Sequence, residues 1–196
     1  MCQPVIVELG AYCGEDGPVF QKLAHPSDIL HIMVEPDPKN VAVIQLRPLD
    51  ANRRLVAAAI SDKMEEREFR FSYDSRDESR GSGSIRNPTG HLKHFPTISF
   101  SAPQMVKCLP LDFVFIQERL SRIDLLWVDI QGAERDMIAG GAYALAKTRY
   151  VFMEAEEIEL YEGQALKPEL IQMFGPSWTL MKDFGYNILL RNDKFA

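Results

Sequence analysis

The chain has 196 residues, of which 46% are hydrophobic, and a formal charge of -6 from 22 basic and 28 acidic side chains. That size and apolar content suffice for one buried core without disulfide or metal staples, so one domain over residues 1–196 is expected, and the acidic balance gives no electrostatic reason to expect a nucleic acid partner. Cys2, Cys13 and Cys108 form no CxxC pair, no apolar run approaches the roughly 20 residues that cross a bilayer, and the N-terminus shows no basic-then-apolar leader, so the expectation is an unprocessed cytoplasmic chain without membrane insertion.

The first element, residues 4–9, is an apolar run that reads as a buried strand. It leads into ELGAYCGEDG and then into apolar residues at helical spacing over 18–23. Gly10 and Gly14 thus stand between a strand and a helix, where they provide a tight turn, close backbone approach and free N–H groups near a helix N-terminus. The spacing Glu8-x-Gly10-x-x-x-Gly14 is not the GxGxxG of a dinucleotide pyrophosphate site. A pyrophosphate disfavours a neighbouring carboxylate, whereas Glu8 and Glu15 suit a ligand with a cationic centre. The plainer alternative is a close-packed turn with solvent-facing acids.

Residues 29–34 predict a second strand, ending at Glu35. In doubly wound sheets an acid at that place commonly accepts ribose hydroxyl protons. As a mere helix-terminal charge beside Pro36 and Asp37 it would contribute a few tenths to about 1 kcal/mol. The glycine turn and this acid together point to a nucleoside with a positive substituent. Asp37 can cap a following helix. Residues 55–60 predict a third strand, and 68–73, alternating with period two, a half-exposed one with Arg70 on its wet face and Phe69 and Phe71 on the other.

From 74 to 103 the chain is rich in Ser, Gly, Arg and Pro with little apolar periodicity, which predicts a substrate loop or lid. Arg76, Arg80 and Arg86 could contact an anionic acceptor there, or simply be surface charges. His91 and His94 could reach a cleft if the segment folds over it. MVKCLPLDFVFIQERL then reads as strand into helix, 123–130 as an apolar strand, 133–145 as helix, 150–154 as strand, 178–184 as helix and 186–190 as a last strand. Strands alternating with helices argue for an α/β domain in three layers around a mainly parallel sheet.

At these residues the chain resembles a known family. VELGAYCGEDG, VEPDPKN, AAISD and IDLLWVDIQGAERDMIAGG resemble successive signatures of the FkbM-type methyltransferases, over most of the chain from about residue 5 to 156. The resemblance implies a Rossmann-like methyltransferase sandwich with strand order 3-2-1-4-5-7-6, strand seven antiparallel, and S-adenosylmethionine as methyl donor. It implies that Gly10, Ala11, Tyr12 and Gly14 line the methionine and ribose portion and that Glu35 holds the ribose hydroxyls, with Glu8, read from its charge, a further candidate cofactor-binding residue. Ser61 and Asp62 would flank adenine, and Asp129 would face the leaving methyl. By this reading only one strand follows 150–154, so a sheet reduced at its ends would leave an edge for a loop, a partner or a homodimer to cover.

A sulfonium already carries an activated methyl and a neutral leaving group, so the protein must chiefly align a nucleophile and exclude water. For a hydroxyl acceptor a base is useful; Asp129 is the first candidate and His91 the second. Asp129 as a plain helix-capping acid remains the alternative. Arg86, His94 and Glu154 are candidate acceptor-binding residues. Asp129, Glu134, Glu154 and Glu156 would offer hard oxygen ligands, but no metal is assigned, since His91 and His94 lack a third ligand at recognisable spacing. The expected function is O-methylation of a small-molecule or glycan hydroxyl. A nicotinamide-dependent oxidoreductase and a non-catalytic nucleoside- or partner-binding domain are the competing readings.

Overall fold

The structure, a computed structural model, describes residues 3–20, 22, 25, 28–47 and 51–195. In chain order its elements are β1 (Val5–Leu9), α1 (Gly17–Phe20), β2 (Leu30–Val34), α2 (Pro38–Gln45), β3 (Arg53–Val56), β4 (Ala59–Ile60), β5 (Glu65–Phe69) and β6 (Ser72–Asp74). They continue with α3 (His91–His94), β7 (Ile98–Phe100), β8 (Gln104–Leu109), α4 (Leu111–Gln117), β9 (Ile123–Val128), α5 (Glu134–Ala139) and α6 (Ala142–Leu145). The chain closes with β10 (Thr148–Glu154), α7 (Lys167–Phe174), β11 (Trp178–Asp183) and β12 (Asn187–Asn192).

The main sheet runs β11-β12-β10-β9-β1-β2-β3. Strands β3 through β10 in that order are parallel, and β12 and β11 are antiparallel additions. Residues of β1 alternate between two covered faces. Val5, Val7 and Leu9 join a core with Leu111, Val114, Met137, Leu170 and Phe174 of α4, α5 and α7. Ile6 packs on the other face with Phe20, Ile29, Leu125 and Trp127, while Met33 of β2 meets Ile44 of α2. A strand covered on both faces needs apolar residues at nearly every position, which is why residues 4–9 are apolar but for Glu8. Helix α2 starts where the sequence predicts: Asp37 accepts from Lys39 N at 2.8 Å, with Pro38 in the first turn.

Four elements differ from the sequence reading. The expected strand 55–60 is two strands, because a tight turn closed by Ala58 N on Val56 O at 3.1 Å carries the chain out of the main sheet. Its second part, β4, pairs with β8, which also carries β5. The expected strand 68–73 breaks at Arg70 and Phe71: β5 ends before them, and β6 forms a separate pair with β7. The expected helix 133–145 is interrupted at Gly140 and Gly141, where a side chain would strike the Ser61 or the Met137 carbonyl. Of the expected helix 18–23, Gln21 and Leu23 lie outside the described residues.

The fourth difference changes the topology. Residues 178–184, expected as helix, form strand β11, and the helix of this region is α7, begun near Pro168 and stopped at Gly175, whose φ is +75°. Strands β11 and β12 make a hairpin around Gly185 (φ +91°), closed by Phe184 N on Asn187 O at 2.8 Å. Counting only main-sheet strands, β12 is seventh and lies between the fifth, β10, and the sixth, β11. The edge that the sequence reading left open beside β10 is therefore filled by this chain itself. Trp178 and Thr179 favour extended backbone, and the donors of β12 supply the ladder that a helix would forgo.

Candidate active site

Strand β1 ends at Leu9 and the chain turns sharply over the edge of the sheet. Gly10 has φ +78°, and a Cβ built on it would lie 1.7 Å from the carbonyl oxygen of Asp129, so the ends of β1 and β9 meet here only because residue 10 has no side chain. Gly10 N and Ala11 N both donate to Val34 O, at 3.0 and 3.1 Å, tying the turn to the end of β2. Tyr12 follows in the left-handed region, φ +48°, and its N–H donates to Glu35 Oε2 at 2.9 Å. Glu35 Oε1 accepts from Asp37 N at 2.9 Å and Asn40 Nδ2 at 3.1 Å. A carboxylate offers about four lone-pair directions, so three donors leave one for a ligand. Burial pushes the pKa of Glu35 up to about 7, against the lowering effect of those donors.

These groups floor a cleft whose walls are Val34, Ala58, Ala59, Ile60 and Phe69, with Arg80, Gly81, Gly83 and Ile85 above. Asp129, Ile130, Gln131 and Ala133 complete it on the β9 side. The 74–103 segment is docked over this cleft by polar contacts: Arg80 with Asp37 at 2.7 Å, Ser84 Oγ to Gln131 O at 2.7 Å and Arg86 with Asp136 at 2.6 Å.

Beyond Gly10 stands a set of acids. Asp129 is exposed at the mouth, while Glu154 at the end of β10 is partly covered. Gln131 Nε2 donates to both, to Asp129 Oδ1 and, at 2.9 Å, to Glu154 Oε2. Crowding by protein raises both carboxyl pKa values, and for Glu154 the neighbouring charges of Asp129, Glu134 and Glu156 add to it. Glu134 is buried, accepts from Gly132 N at 3.2 Å, and is pushed up to about 7 by burial. Asp16, between Gly14 and α1, adds negative field at Asp129 from the opposite side. A site so surrounded favours a positively charged ligand over a neutral one.

Of the residues singled out in the sequence, the structure brings Gly10, Tyr12, Glu35 and Asp129 together on one lining. Glu154 joins them through Gln131. Glu8 points to the face of β1 opposite the main core, where its Oε2 lies 2.7 Å from His31 Nε2 and its Oε1 is buried with no partner; burial raises its pKa, and Asp16 lies within hydrogen-bonding reach when one of the two is protonated. Ala11 is buried against Met33 and Ile44, and Gly14 is turned toward Ile44 and the Arg47 side chain. Ser61 closes a turn on Lys63, and Asp62 lies outside the lining beside Gly140.

His91 is buried beneath the ring of Tyr161, packed by Phe95 and Phe100, and His94 faces solvent on the outer side of α3. An imidazole wedged among aromatic rings is held as packing, and burial lowers its pKa. Arg76, Arg80 and Arg86 are each engaged by an acid, Asp74, Asp37 and Asp136. Among the described residues no group of His, Cys, Asp and Glu has the arrangement to hold a metal ion. The sequence reading missed Gln131, Asn40 and Tyr161. Gln131 stands inside DIQGAE and was legible there; Tyr161 carries no local signal, since it reaches the site from a loop 30 residues further along the chain.

Comparison with known proteins adds a second line. The family model described as methyltransferase FkbM domain matches residues 8–188. A curated relative, 2-O-methyltransferase NoeI of Sinorhizobium fredii (strain NBRC 101917 / NGR234), is 37% identical over 199 residues, covering 97% of this chain and 80% of that protein. A solved structure, methyltransferase FkbM from Methylobacillus flagellatus KT, superimposes with a TM-score of 0.59 at 14% identity. That match covers 96% of this chain and 43% of the other, so the present chain spans less than half of that protein, and the likeness is one of fold.

Proposed function

We propose that this chain, which belongs to the methyltransferase FkbM domain family, transfers a methyl group to a hydroxyl of a small molecule or glycan. It is an S-adenosylmethionine-dependent methyltransferase, which sets aside the nicotinamide-dependent and non-catalytic readings. We read the sheet as a Rossmann-like methyltransferase sandwich, on the strength of β12 lying between β10 and β11 and the reversal of strand order at β1, which is parallel to both β2 and β9. A cytoplasmic setting suits the free thiols of Cys13 and Cys108.

The observation that carries the reading is the convergence of Gly10, Glu35 and Asp129 on one cleft. The residues present fit the methyl donor. Glu35 keeps one acceptor direction free for a ribose hydroxyl, Gly10 leaves room against the Asp129 carbonyl, and the acids around Asp129 favour a cation. When bound, S-adenosylmethionine supplies a methyl carbon on positive sulfur, so the bond formed to the acceptor oxygen is balanced by the C–S bond broken, the electron pair remaining on sulfur. The chain contributes alignment and proton removal. Asp129, at the mouth of the cleft and restrained by Gln131, takes the acceptor's hydroxyl proton.

Two features narrow the acceptor. The curated relative is a 2-O-methyltransferase, and we extend methylation of a 2-hydroxyl to this protein. The arginines near the cleft are paired with acids, while Asp129 lines it and Glu154 stands behind it on Gln131, so a neutral acceptor is favoured over a phosphorylated or carboxylated one. The test is incubation with S-adenosylmethionine and a panel of methyl glycosides with and without the 2-hydroxyl, beside uronic acids and amines. A mass gain of one methyl on neutral 2-hydroxyl glycosides supports the reading. Methylation confined to amines or to anionic sugars would overturn it.

A further inference from the structure

We propose that Gln131 is the positioning residue for proton removal: its side-chain amide, oriented by the Tyr161 hydroxyl, holds Asp129 and Glu154 together as one proton-accepting pair. The inference rests on Asp129 receiving the acceptor's proton.

Gln131 has φ +52°, a conformation that side-chain-bearing residues rarely adopt, and it is fixed there by Ser84 Oγ on its carbonyl at 2.7 Å and by Gly132 (φ +92°) behind it. A Cβ on Gly132 would come within 2.8 Å of Tyr161 Cβ, so the ring lies directly against the turn. Tyr161 is only 2% exposed, and its hydroxyl lies 2.6 Å from Gln131 Oε1 and 2.8 Å from Ser82 O. The amide nitrogen therefore faces Asp129 and Glu154.

A phenol carries one proton, and both of these neighbours are acceptors. The network has two arrangements. With the carboxyls ionised, the phenol donates to the amide oxygen and the amide N–H donates to the acids. Once the pair holds an added proton, the two carboxyls lie within hydrogen-bonding reach of each other and share it, and the amide N–H still donates to the carboxyl that remains ionised. Gln131 thus has a bonding arrangement for the pair before and after the acceptor's O–H bond breaks and its proton goes to Asp129. The pair loses one negative charge as the sulfur loses its positive one, and the net charge of the site is conserved.

The charged and titratable groups facing the pair are Asp16 ahead of α1, Glu134 of α5, Glu156 beyond β10 and Tyr161. The three carboxyls raise the pair's proton affinity, Tyr161 stays an uncharged phenol, and the amide donor of Gln131 opposes the carboxyls. An N–H donated to a carboxylate stabilises the ionised form.

The experiment follows the side-chain carboxyl carbons of Asp129 and Glu154 by NMR titration of the full chain, with the kcat–pH profile on a neutral methyl glycoside measured in parallel. Gln131→Leu should move the pair's titration and the acidic limb of the profile upward by about one unit. Tyr161→Phe, which keeps the ring packing, should move both in the same direction by less. Gln131→Asn tolerates the left-handed backbone and separates loss of the amide's reach from strain. Unshifted carboxyl titrations, or turnover falling by one factor at every pH, would overturn the proposal. If the unsubstituted chain methylates no glycoside, the hydroxyl-acceptor reading fails, and the carboxyl titrations still decide the role of Gln131.

Discussion

Tyr12 and Glu35 meet at the reversal point of the sheet, the backbone N–H of the first donating to Oε2 of the second at 2.9 Å. The contact joins the loop after β1 to the end of β2, so an acid that lines the cleft also fixes the loop beside it. Glu35→Gln keeps the size of the side chain but removes the charge. S-adenosylmethionine affinity is expected to fall about 10- to 150-fold, the equivalent of roughly 1.5 to 3 kcal/mol for charged hydrogen bonds. Calorimetry measures it; an unchanged Kd would show that Glu35 only braces the loop.

The same carboxyl gives cofactor binding a pH dependence. With a pKa raised to about 7 in the free protein, Glu35 is partly protonated at neutral pH, and the protonated form is the poorer acceptor for a ribose hydroxyl. Affinity for S-adenosylmethionine should rise with pH through about 7 and level off above it, and the dependence should disappear in Glu35→Gln.

Gly10→Ala forces a Cβ toward the Asp129 carbonyl and onto a positive φ. Left-handed backbone costs roughly 1–2 kcal/mol for a residue with a side chain, and overpacking adds about 1–3 kcal/mol. Denaturant melts should show a loss within the sum of these ranges. A change under about 0.5 kcal/mol, the usual scale at permissive surface sites, would mean that the two strand ends separate freely.

Glu134 offers a stability test with a defined sign. Unfolded, it ionises near 4.5; folded, near 7, because burial disfavours its charge. Between those values the unfolded chain has released a proton that the folded chain retains, so raising the pH through this window favours unfolding. Glu134→Gln preserves an acceptor for Gly132 N and removes the ionisation. It should stabilise the chain at pH 8 relative to pH 5 by up to about 3 kcal/mol, as judged by denaturation at both pH values. Equal effects at both would dismiss the buried-acid account.

The docked 74–103 segment should behave as structure before any ligand arrives. Arg86→Ala removes the partly buried pair with Asp136 and the contacts to the carbonyls of Glu162 and Gly163, a loss of roughly 1.5 to 3 kcal/mol. Hydrogen exchange should find the amides of residues 84, 90 and 91 protected in the unliganded chain and faster in the variant. Protection appearing only when acceptor is added would restore the mobile lid.

Local pattern sufficed for much of this protein. The runs at β1, β2, β9 and β10 were legible because strands covered on both faces must be predominantly apolar, and the cap at Asp37 because its chemistry is local. Gly10, Glu35 and Asp129 were legible for a related reason: each stands directly after such a strand, and parallel α/β sheets bring those positions to one edge. Tertiary structure alone decided the rest. The apolar pattern at residues 55–60 is the same whether one sheet or two receives it, and Trp178–Asp183 becomes a strand only because β12 offers it a ladder. His91, Arg80 and Arg86 looked like loop groups free to meet a substrate until their partners, distant in sequence, were in place. Tyr161 reached Gln131 across 30 residues by the same route. Which face of the chain a side chain shows is written in its immediate neighbours, but what stands opposite that face is set by packing between elements that no short window contains.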